Sequence, residues 1–222
     1  MQRTISAMVG KGSVNHNSRK FRAENVDGTR THLNIDYCNE NIKTVYHELF
    51  DEALERYNAK QTRSDRKIKD YYEKIRSSKQ EKPFREIILQ MGGKGNMNAD
   101  TENGELAKQV LDEYYQGFQE RNPQLRVFSA HLHMDEATPH LHIDFVPFTT
   151  GSKRGLDTRV SLKQALATQG FKGGSRGDTE WSQWVQSEKE QLATVMERYG
   201  IEWEHKGTHE KHLSVLDYKK QE

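Results

Sequence analysis

The stretch His131-Leu-His133-Met-Asp135-Glu136-Ala-Thr-Pro139-His140-Leu-His142 is the part of this chain that decides its fold and its chemistry. These twelve residues hold four of the ten histidines, two carboxylates and a proline. Imidazole and carboxylate groups are ligands that suit divalent transition metals. A cluster of this density therefore predicts a metal site.

Both ends of this stretch have the alternation of a β-strand. Residues 140–148 alternate polar and apolar side chains, and residues 126–133 form a second extended run. Side chains two apart on a strand lie on the same face, so His140 and His142 can face one ion. The short segment before them contains turn formers and can join two antiparallel strands. With His133 at the end of the first strand, this predicts a three-histidine metal site on a β-hairpin.

Other interpretations of the stretch fit less well. The two ligands of a helical His-Glu-x-x-His motif are four residues apart, whereas His140 and His142 are two apart and follow a proline. A structural zinc site made of cysteines is excluded, because Cys38 is the single cysteine. Any one of these histidines alone could be an ordinary polar side chain of a half-buried hairpin. Three of them beside Asp135 and Glu136 favour a metal site.

The composition indicates a polar protein with a modest core. Of the 222 residues, 33% are hydrophobic and 30% are charged, and the formal net charge is +1. Two segments are locally basic: residues 151–177 carry six basic side chains against one acidic, and residues 11–30 carry five against two. Basic loops suit phosphate contacts, although each alone is also ordinary on a solvated surface.

The cysteine content and the hydropathy pattern indicate a cytoplasmic soluble protein. Cys38 cannot form an intramolecular disulfide, which is typical of a reducing compartment. The chain has no apolar run of membrane-spanning length, and its N-terminus has no signal-peptide pattern. We therefore expect no membrane segment.

Outside the hairpin, the apolar pattern predicts an α+β fold. Strands are expected over residues 3–9, 31–37 and 84–91, which with the hairpin make a central, mainly antiparallel five-stranded sheet. Flanking helices are expected after Asn41, across residues 60–82 and 106–121, and over residues 161–168 and 178–199. Trp181 and Trp184 share a face of the last helix, and we interpret them as a core anchor rather than a base-stacking pair.

Two blocks near the N-terminus, taken with the hairpin, give the chain a resemblance to a known family. The first block is His16-Asn17-x-Arg19, and the second is Asn-x-Asp-x-x-Arg-x-x-x-Asn-x-x-Tyr over residues 25–37. The third is the hairpin motif His-x-Asp-Glu-x-x-Pro-His-x-His over residues 133–142. In this order the blocks resemble the plasmid mobilisation and recombination relaxases of the Mob/Pre (MobV) family, within the HUH endonuclease superfamily.

The resemblance implies a domain organisation and a reaction. Residues 1–200 would form the relaxase domain, with an HUH-endonuclease-like fold, and residues 201–222 a C-terminal extension leading into a longer region. A relaxase nicks one strand of a transfer origin by transesterification, keeps the 5′ phosphoryl end covalently bound and releases a 3′ hydroxyl for later rejoining. Such a reaction serves conjugative mobilisation of a plasmid or mobile element.

The resemblance also assigns roles to particular residues. His133, His140 and His142 would hold the divalent metal, Mn²⁺ or Mg²⁺, with other transition metals as substitutes. His16 would be the nucleophile and Arg19 would hold the phosphate bidentately. Glu136 would orient the ring of His16 or accept its proton. Asp135 would be a turn residue or would fix a ligand histidine.

The expected partner is single-stranded or hairpin-forming origin-of-transfer DNA, with accessory transfer proteins as further partners. Phosphate contacts supply affinity and salt dependence, so basic residues are the natural candidates. The predicted DNA contacts are Lys11, Arg30, Lys153, Arg154, Arg159, Lys172 and Arg176.

Two alternative functions stay open at this point. A replication initiator or transposase of the same superfamily would use a tyrosine nucleophile, for which Tyr37 is the candidate. A metallohydrolase would use the three histidines to activate water, with Glu136 as general base and no covalent adduct.

Overall fold

An antiparallel sheet forms the centre of the fold in the computed structural model, which describes residues 1–10 and 12–205. The described strands are β1 (Gln2–Arg3), β2 (Ile5–Val9), β3 (Ile35–Asn39), β4 (Arg85–Met91), β5 (Leu125–His133), β6 (His140–Thr149), β7 (Arg159–Val160) and β8 (Glu202–Trp203). The central strands run in the order β2–β4–β6–β5–β3, and β7 pairs with the far end of β6. The short strands β1 and β8 pair in parallel beside this sheet.

This architecture confirms the predicted α+β fold with its antiparallel sheet, and it corrects the number of strands. The prediction was a five-stranded sheet, whereas the described part of the sheet has six strands, because β7 adds a short pairing to β6. Only two residue pairs join β7 to β6. A strand of two residues is too short to show an alternating pattern in the sequence.

Helices cover both faces of the sheet. In the described part of the chain they are α1 (Val14–Asn17), α2 (Ile42–Ala59), α3 (Tyr71–Arg76), α4 (Glu102–Gln116), α5 (Phe118–Arg121), α6 (Leu162–Thr168) and α7 (Glu180–Arg198). Side-chain caps mark several helix starts: Asn41 accepts a hydrogen bond from the N–H of Lys43, and Thr179 forms a capping box. Among the described helices, none is both long and apolar enough to cross a membrane.

The two faces of the sheet differ because side chains alternate along each strand. Ile143 and Phe145 of β6 lie on the apolar face, in a core formed with α4, α5, α6 and α7. On the other face, Val146 lies at the end of β6 that α2 and α3 cover. His140 and His142 lie on that same face, at the opposite end of the strand. One end of this face is therefore packed, and the other carries the histidines.

The second predicted strand begins later than the sequence pattern indicated. Residues 31–37 were expected to be one strand, but Thr31–Leu33 forms a 3-10 turn before β3. The Thr31 hydroxyl and the Asn34 amide donate hydrogen bonds of 3.0 and 2.9 Å to the buried carboxylate of Asp135. These bonds hold the segment away from the β-ladder, which explains the late start.

The charged segment 60–82 is not the continuous helix that was predicted. It contains a 3-10 turn at Ser64–Arg66 and then α3, which begins after the cap residue Asp70. Tyr71 and Ile75 of α3 are buried in one cluster with side chains of α2. Short helices depend on such packing, and the rest of the segment has a single apolar side chain, Ile68, to supply it. The last helix agrees with the prediction, since Trp184 is fully buried in the core.

Candidate active site

The β5–β6 hairpin brings the histidines together at one end of the sheet. His133 lies opposite His140 in the strand register, and His131 lies opposite His142. The ring centroid of His133 is 5.2 Å from that of His140 and 4.7 Å from that of His142. The rings of His140 and His142 are 4.9 Å apart. The three predicted metal ligands therefore surround a common space.

In each of these three rings, one nitrogen is bound to a protein acceptor. The bonds are His133 Nε2 to the Asn17 carbonyl (2.8 Å), His140 Nδ1 to the Thr138 carbonyl (2.8 Å) and His142 Nδ1 to Glu86 Oε1 (2.7 Å). Carbonyl and carboxylate oxygens only accept, so each of these ring nitrogens carries the hydrogen. The second nitrogen of each neutral ring then keeps a lone pair for a ligand.

Two of these second nitrogens have no hydrogen-bond partner. His133 Nδ1 and His142 Nε2 are both buried and unpaired, whereas buried polar groups are normally hydrogen-bonded. Burial lowers the pKa of His133 to about 2. Burial, opposed by the neighbouring Glu86, lowers the pKa of His142 to about 4. Both rings are therefore neutral at neutral pH, which is the form that binds a metal, and the donor set fits a divalent transition ion.

His16 lies beside this cluster on α1. Its ring centroid is 6.0 Å from that of His133 and 6.2 Å from that of His142. Its Nε2 lies 3.4 Å from Glu136 Oε1 and 3.2 Å from Arg19 Nη1. The side chain is 21% exposed, so the structure places a reachable imidazole next to the predicted ligands.

Glu136 lies between His16 and the hairpin histidines. Its Oε1 is 3.7 Å from His140 Nε2 and 3.9 Å from His133 Nδ1. Two groups of ligand atoms each lie within 4.8 Å of one another: His16, His133 and His142, and His133, Glu136 and His140. The two groups share His133. His16 completes the group that contains His142, and Glu136 completes the group that contains His140.

The guanidinium nitrogens of Arg19 already form hydrogen bonds within the protein. The arrangement therefore differs from the one expected for bidentate phosphate binding. Its Nε and Nη2 donate to the two oxygens of Asp135, and Nη2 also donates to Glu136 Oε1 at 2.8 Å. Asp135 is fully buried, and a guanidinium that pairs with both oxygens compensates its charge. The backbone of Arg19 is left-handed (φ 57°), a strained conformation that these contacts hold in place. Asp135, expected to be a turn residue or to fix a ligand histidine, lies in the bend between β5 and β6 and fixes Arg19.

Tyr37, the alternative nucleophile, lies on the opposite face of the sheet. Its hydroxyl donates to Asp112 at 2.7 Å, and its ring centroid is 4.0 Å from that of Tyr115 on α4. Burial and the hydrogen bond to Asp112 raise the pKa of Tyr37 above its usual range. The structure therefore does not bring this tyrosine to the histidine cluster.

Arg30 is a predicted DNA contact in the segment next to the cluster. Its backbone N–H donates to the carbonyl of Asp27 at 3.0 Å, and the N–H of Asp27 donates to the carbonyl of Asp135 at 2.7 Å. The Arg30 side chain is partly buried. Arg30 is therefore placed beside the candidate site.

Of the other predicted DNA contacts, those within the described residues lie away from the histidine cluster. Lys153 and Arg154 are exposed in the loop after β6, and Arg159 is in β7. The seven residue steps of β6 from His142 to its last residue, Thr149, span about 23 Å at roughly 3.3 Å per step. Exposed residues Lys172 and Arg176 lie between α6 and α7, the helices on the apolar face, and Lys11 lies outside the described residues. Lys153, Arg154 and Arg159 therefore lie at the opposite end of β6 from the histidine cluster, and Lys172 and Arg176 lie between helices of the opposite face.

The sequence analysis did not identify Glu86 and Asn17, which accept hydrogen bonds from the ring nitrogens of His142 and His133, respectively. Glu86 is 3% exposed and accepts hydrogen bonds of 2.7 Å each from His142 Nδ1, Asn17 Nδ2 and the N–H of Gly12. Asn17 Nδ2 also donates to Asp144 at 3.0 Å. The available signals were a glutamate inside a largely apolar strand and an asparagine beside the first block histidine.

Fold and site together define the class: an α+β domain whose antiparallel hairpin presents open imidazole nitrogens, with a further histidine beside them. Residues 13–220 match the family described as Mob_Pre, plasmid recombination enzyme. The chain belongs to this family, which confirms the resemblance seen in the three sequence blocks.

Relatives of known description agree with this assignment. The chain is 27% identical over 157 residues to the plasmid recombination enzyme type 3 of Staphylococcus aureus, a match that covers 69% of this chain and 33% of that protein. It is 25% identical over 238 residues to the type 2 enzyme of S. aureus strain Mu50 / ATCC 700699, covering 100% of this chain and 44% of that protein. The chain thus spans between a third and a half of the length of these relatives.

Solved structures share the fold. The MobM relaxase domain (MOBV; Mob_Pre), in an Mn-bound crystal structure with plasmid pMV158 oriT DNA of 22 nucleotides at pH 5.5, superposes with a TM-score of 0.56. The match has 21% identity and covers 99% of this chain and 100% of that one. A second structure of that complex, at pH 4.6, gives the same TM-score at 20% identity and covers 98% and 99% of the two chains. This chain therefore has the fold of that relaxase domain.

Proposed function

We propose that this chain is the relaxase domain of a mobilisation protein, with the nuclease in residues 1–200. In this proposal it nicks one strand of an origin DNA and keeps the 5′ phosphoryl end on His16. The observation that carries the proposal is the position of His16 beside three imidazoles, each with one nitrogen bound from behind and the other open. The Mn-bound, oriT-bound state of the MobM relaxase domain supports it.

His133, His140 and His142 are the residues that would hold the metal. A divalent ion bound there supplies a Lewis acid that polarises the scissile phosphate and offsets charge in the transition state. Mn²⁺ suits imidazole ligands better than Mg²⁺, which prefers oxygen. The acceptors behind the rings hold each imidazole in one orientation, with its second nitrogen kept for the ion.

His16 acts as the nucleophile in its neutral form. A ring nitrogen forms a bond to phosphorus while the bond from phosphorus to the 3′ oxygen breaks, so the product is a phosphoramidate and a 3′ hydroxyl. The ring loses one N–H proton and the leaving oxygen gains one, so neither water nor a net proton is consumed. The reverse attack by the 3′ hydroxyl rejoins the strand and releases His16.

Glu136 and Arg19 prepare His16 for this step. Burial is outweighed by hydrogen bonds from His16 and Arg19 and by the charges of His140 and Arg19, which together lower the pKa of Glu136, so its carboxylate is ionised and can accept from the ring. Arg19 Nη2 donates to both Asp135 and Glu136, and its Nη1 donates to the carbonyl of His16 at 3.1 Å. Arg19 thereby fixes the carboxylate and the nucleophile relative to each other.

A covalent-adduct assay tests the proposal. Tiled single-stranded oligonucleotides from the DNA that flanks the coding sequence are incubated with protein and Mn²⁺ and run on a denaturing gel. We expect wild type and Tyr37→Phe to form an adduct, and His16→Ala and His140→Ala to form none. His16→Ala should keep Mn²⁺ binding, which separates the nucleophile from the ligands.

Two outcomes of this assay would contradict the proposal. Cleavage without any adduct, lost in His140→Ala but kept in His16→Ala, would identify water as the nucleophile and a metallohydrolase. An adduct kept in His16→Ala but lost in Tyr37→Phe would identify a tyrosine nucleophile.

A further inference from the structure

Asn17 contacts the candidate machinery on three sides, although it is neither the nucleophile nor a predicted ligand. Its carbonyl accepts the hydrogen bond from His133 Nε2 at 2.8 Å. Its side-chain Nδ2 donates to Glu86 Oε1 at 2.7 Å and to Asp144 Oδ2 at 3.0 Å. Only 2% of Asn17 is exposed, and it directly follows His16.

We propose that Asn17 is a positioning residue that sets the place of His16 relative to the metal ligands. This inference rests on the proposed function, since it assumes that His16 acts on a phosphate held at the histidine cluster. The four-residue helix α1 is far too short to be stable alone, so its position depends on contacts to the rest of the fold. Asn17 supplies those contacts at the residue adjacent to His16.

Glu86 connects the segment that carries His16 to a second predicted metal ligand, His142. One oxygen, Oε1, accepts from both His142 Nδ1 and Asn17 Nδ2. The other oxygen accepts from the backbone N–H of Gly12 at 2.7 Å. A side chain at Gly10 would bring its Cβ to 1.7 Å from this oxygen, so the segment leading to α1 passes directly against the carboxylate. Glu86 therefore holds His142 and the nucleophile segment at the same time.

The amide of Asn17 suits this place because it serves two carboxylates without adding a charge. Each hydrogen of Nδ2 has its own acceptor, one on Glu86 and one on Asp144. All three side chains are buried, so an unmade hydrogen bond would leave a polar group without water as a substitute. Removing the amide therefore loosens the carboxylate that orients His142 and the turn that carries His16.

The core of the protein offers a matched control in Asn122. This asparagine is also fully buried, and its Nδ2 donates to a buried carboxylate, Glu188 Oε1, at 3.0 Å. Its Oδ1 also accepts from Nε1 of Trp184 at 2.7 Å, and Trp184 belongs to the core on the apolar face. Loss of Asn122 tests what a buried asparagine contributes to folding alone.

The experiment compares Asn17→Ala with Asn122→Ala in the whole chain. Mn²⁺ affinity is measured by calorimetric titration, stability by urea unfolding, and nicking as kcat and KM at saturating Mn²⁺. We expect both variants to unfold at lower urea. Asn17→Ala alone should weaken Mn²⁺ binding and lower kcat by about tenfold or more, the range for residues behind metal ligands. Its KM for DNA should stay unchanged, because the basic surface is intact.

Equal Mn²⁺ affinity and kcat in the two variants would overturn the proposal and leave Asn17 a purely structural residue. If wild type does not nick DNA, the proposed function fails, while the Mn²⁺ comparison still decides whether Asn17 holds the ligands. Should Asn17→Ala not fold, Glu86→Gln replaces it, because an amide cannot accept from all three donors of Glu86. Unchanged Mn²⁺ affinity in that variant would also overturn the link.

Discussion

Two buried asparagine–glutamate pairs show how the same chemistry serves a fold in one place and a site in another. Glu188 in the core and Glu86 under the histidines are each 3% exposed. Each accepts from a buried asparagine, Asn122 and Asn17 respectively. Glu188 is also paired with Arg121 at 3.0 Å, so its charge is compensated.

Glu86 differs because none of its hydrogen-bond donors carries a fixed charge. The donors are Gly12, Asn17 and His142. The far nitrogen of His142 is buried and unpaired, as is that of His133. Both networks contain buried unpaired atoms, but Arg121 Nε in the core is a donor, whereas the unpaired ring nitrogens of His133 and His142 keep lone pairs that can bind a metal ion.

Removal of a predicted ligand should have the largest effect. His142→Ala takes away one of three imidazoles and should weaken Mn²⁺ binding by more than about 100-fold, the upper end for residues behind the ligands. His131→Ala is the matched control, because His131 lies opposite His142 in the register but is bound to Asp36 at 2.6 Å. Calorimetric titration should show wild-type affinity in the control, and equal losses in both variants would refute the ligand assignment.

Disruption of the core pair, Asn122 and Glu188, should lower the stability of the fold without changing Mn²⁺ affinity. Glu188→Ala leaves the Tyr114 hydroxyl without an acceptor and Arg121 without its carboxylate, and it takes away one of the two acceptors of Asn122 Nδ2. We expect a loss of about 3 kcal/mol in the free energy of unfolding, measured in urea. The Mn²⁺ affinity of the folded protein should match wild type. A large loss of affinity would mean that the core network and the site network are coupled.

The smallest effect concerns the distant basic loop. Lys153→Ala combined with Arg154→Ala should weaken binding of long origin hairpins several-fold, with a shallower salt dependence. Hairpins shorter than about seven base pairs, at roughly 3.4 Å each, should not reach the loop. The double variant should therefore bind them with the same affinity as wild type. Lys189→Ala with Arg198→Ala on α7 removes the same charge from the apolar-face layer and serves as the control. Equal weakening of short and long hairpins would place the loop at the site instead.

Much of the fold and the hairpin part of the site could be predicted because their information is local. Strand alternation places His140 and His142 on one face, and a short turn returns the chain to His133. The structure has this hairpin, and its register needs only residues that are close in sequence. The apolar periodicity likewise located the longer strands and most of the helices.

The residues behind the ligands could not be predicted, because their partners are distant in sequence. Asn17 bonds Glu86 and Asp144 across 69 and 127 positions, and no period in the sequence reports such a pair. The expected role of Arg19 missed Asp135 for the same reason, since these residues are 116 positions apart. The pairing of β4 with β6 places Glu86 opposite Asp144, a neighbourhood that no local pattern reports.

Mass spectrometry of the trapped DNA adduct tests the central claim most directly. Trypsin cuts after Lys11 and Arg19, so the peptide of residues 12–19 contains His16 as its sole histidine. After nuclease digestion at alkaline pH, the account predicts a nucleotide on this peptide, lost on mild acid treatment as expected for a phosphoramidate. A nucleotide on the peptide of residues 31–43, which carries Tyr37, or cleavage with no modified peptide, would contradict it.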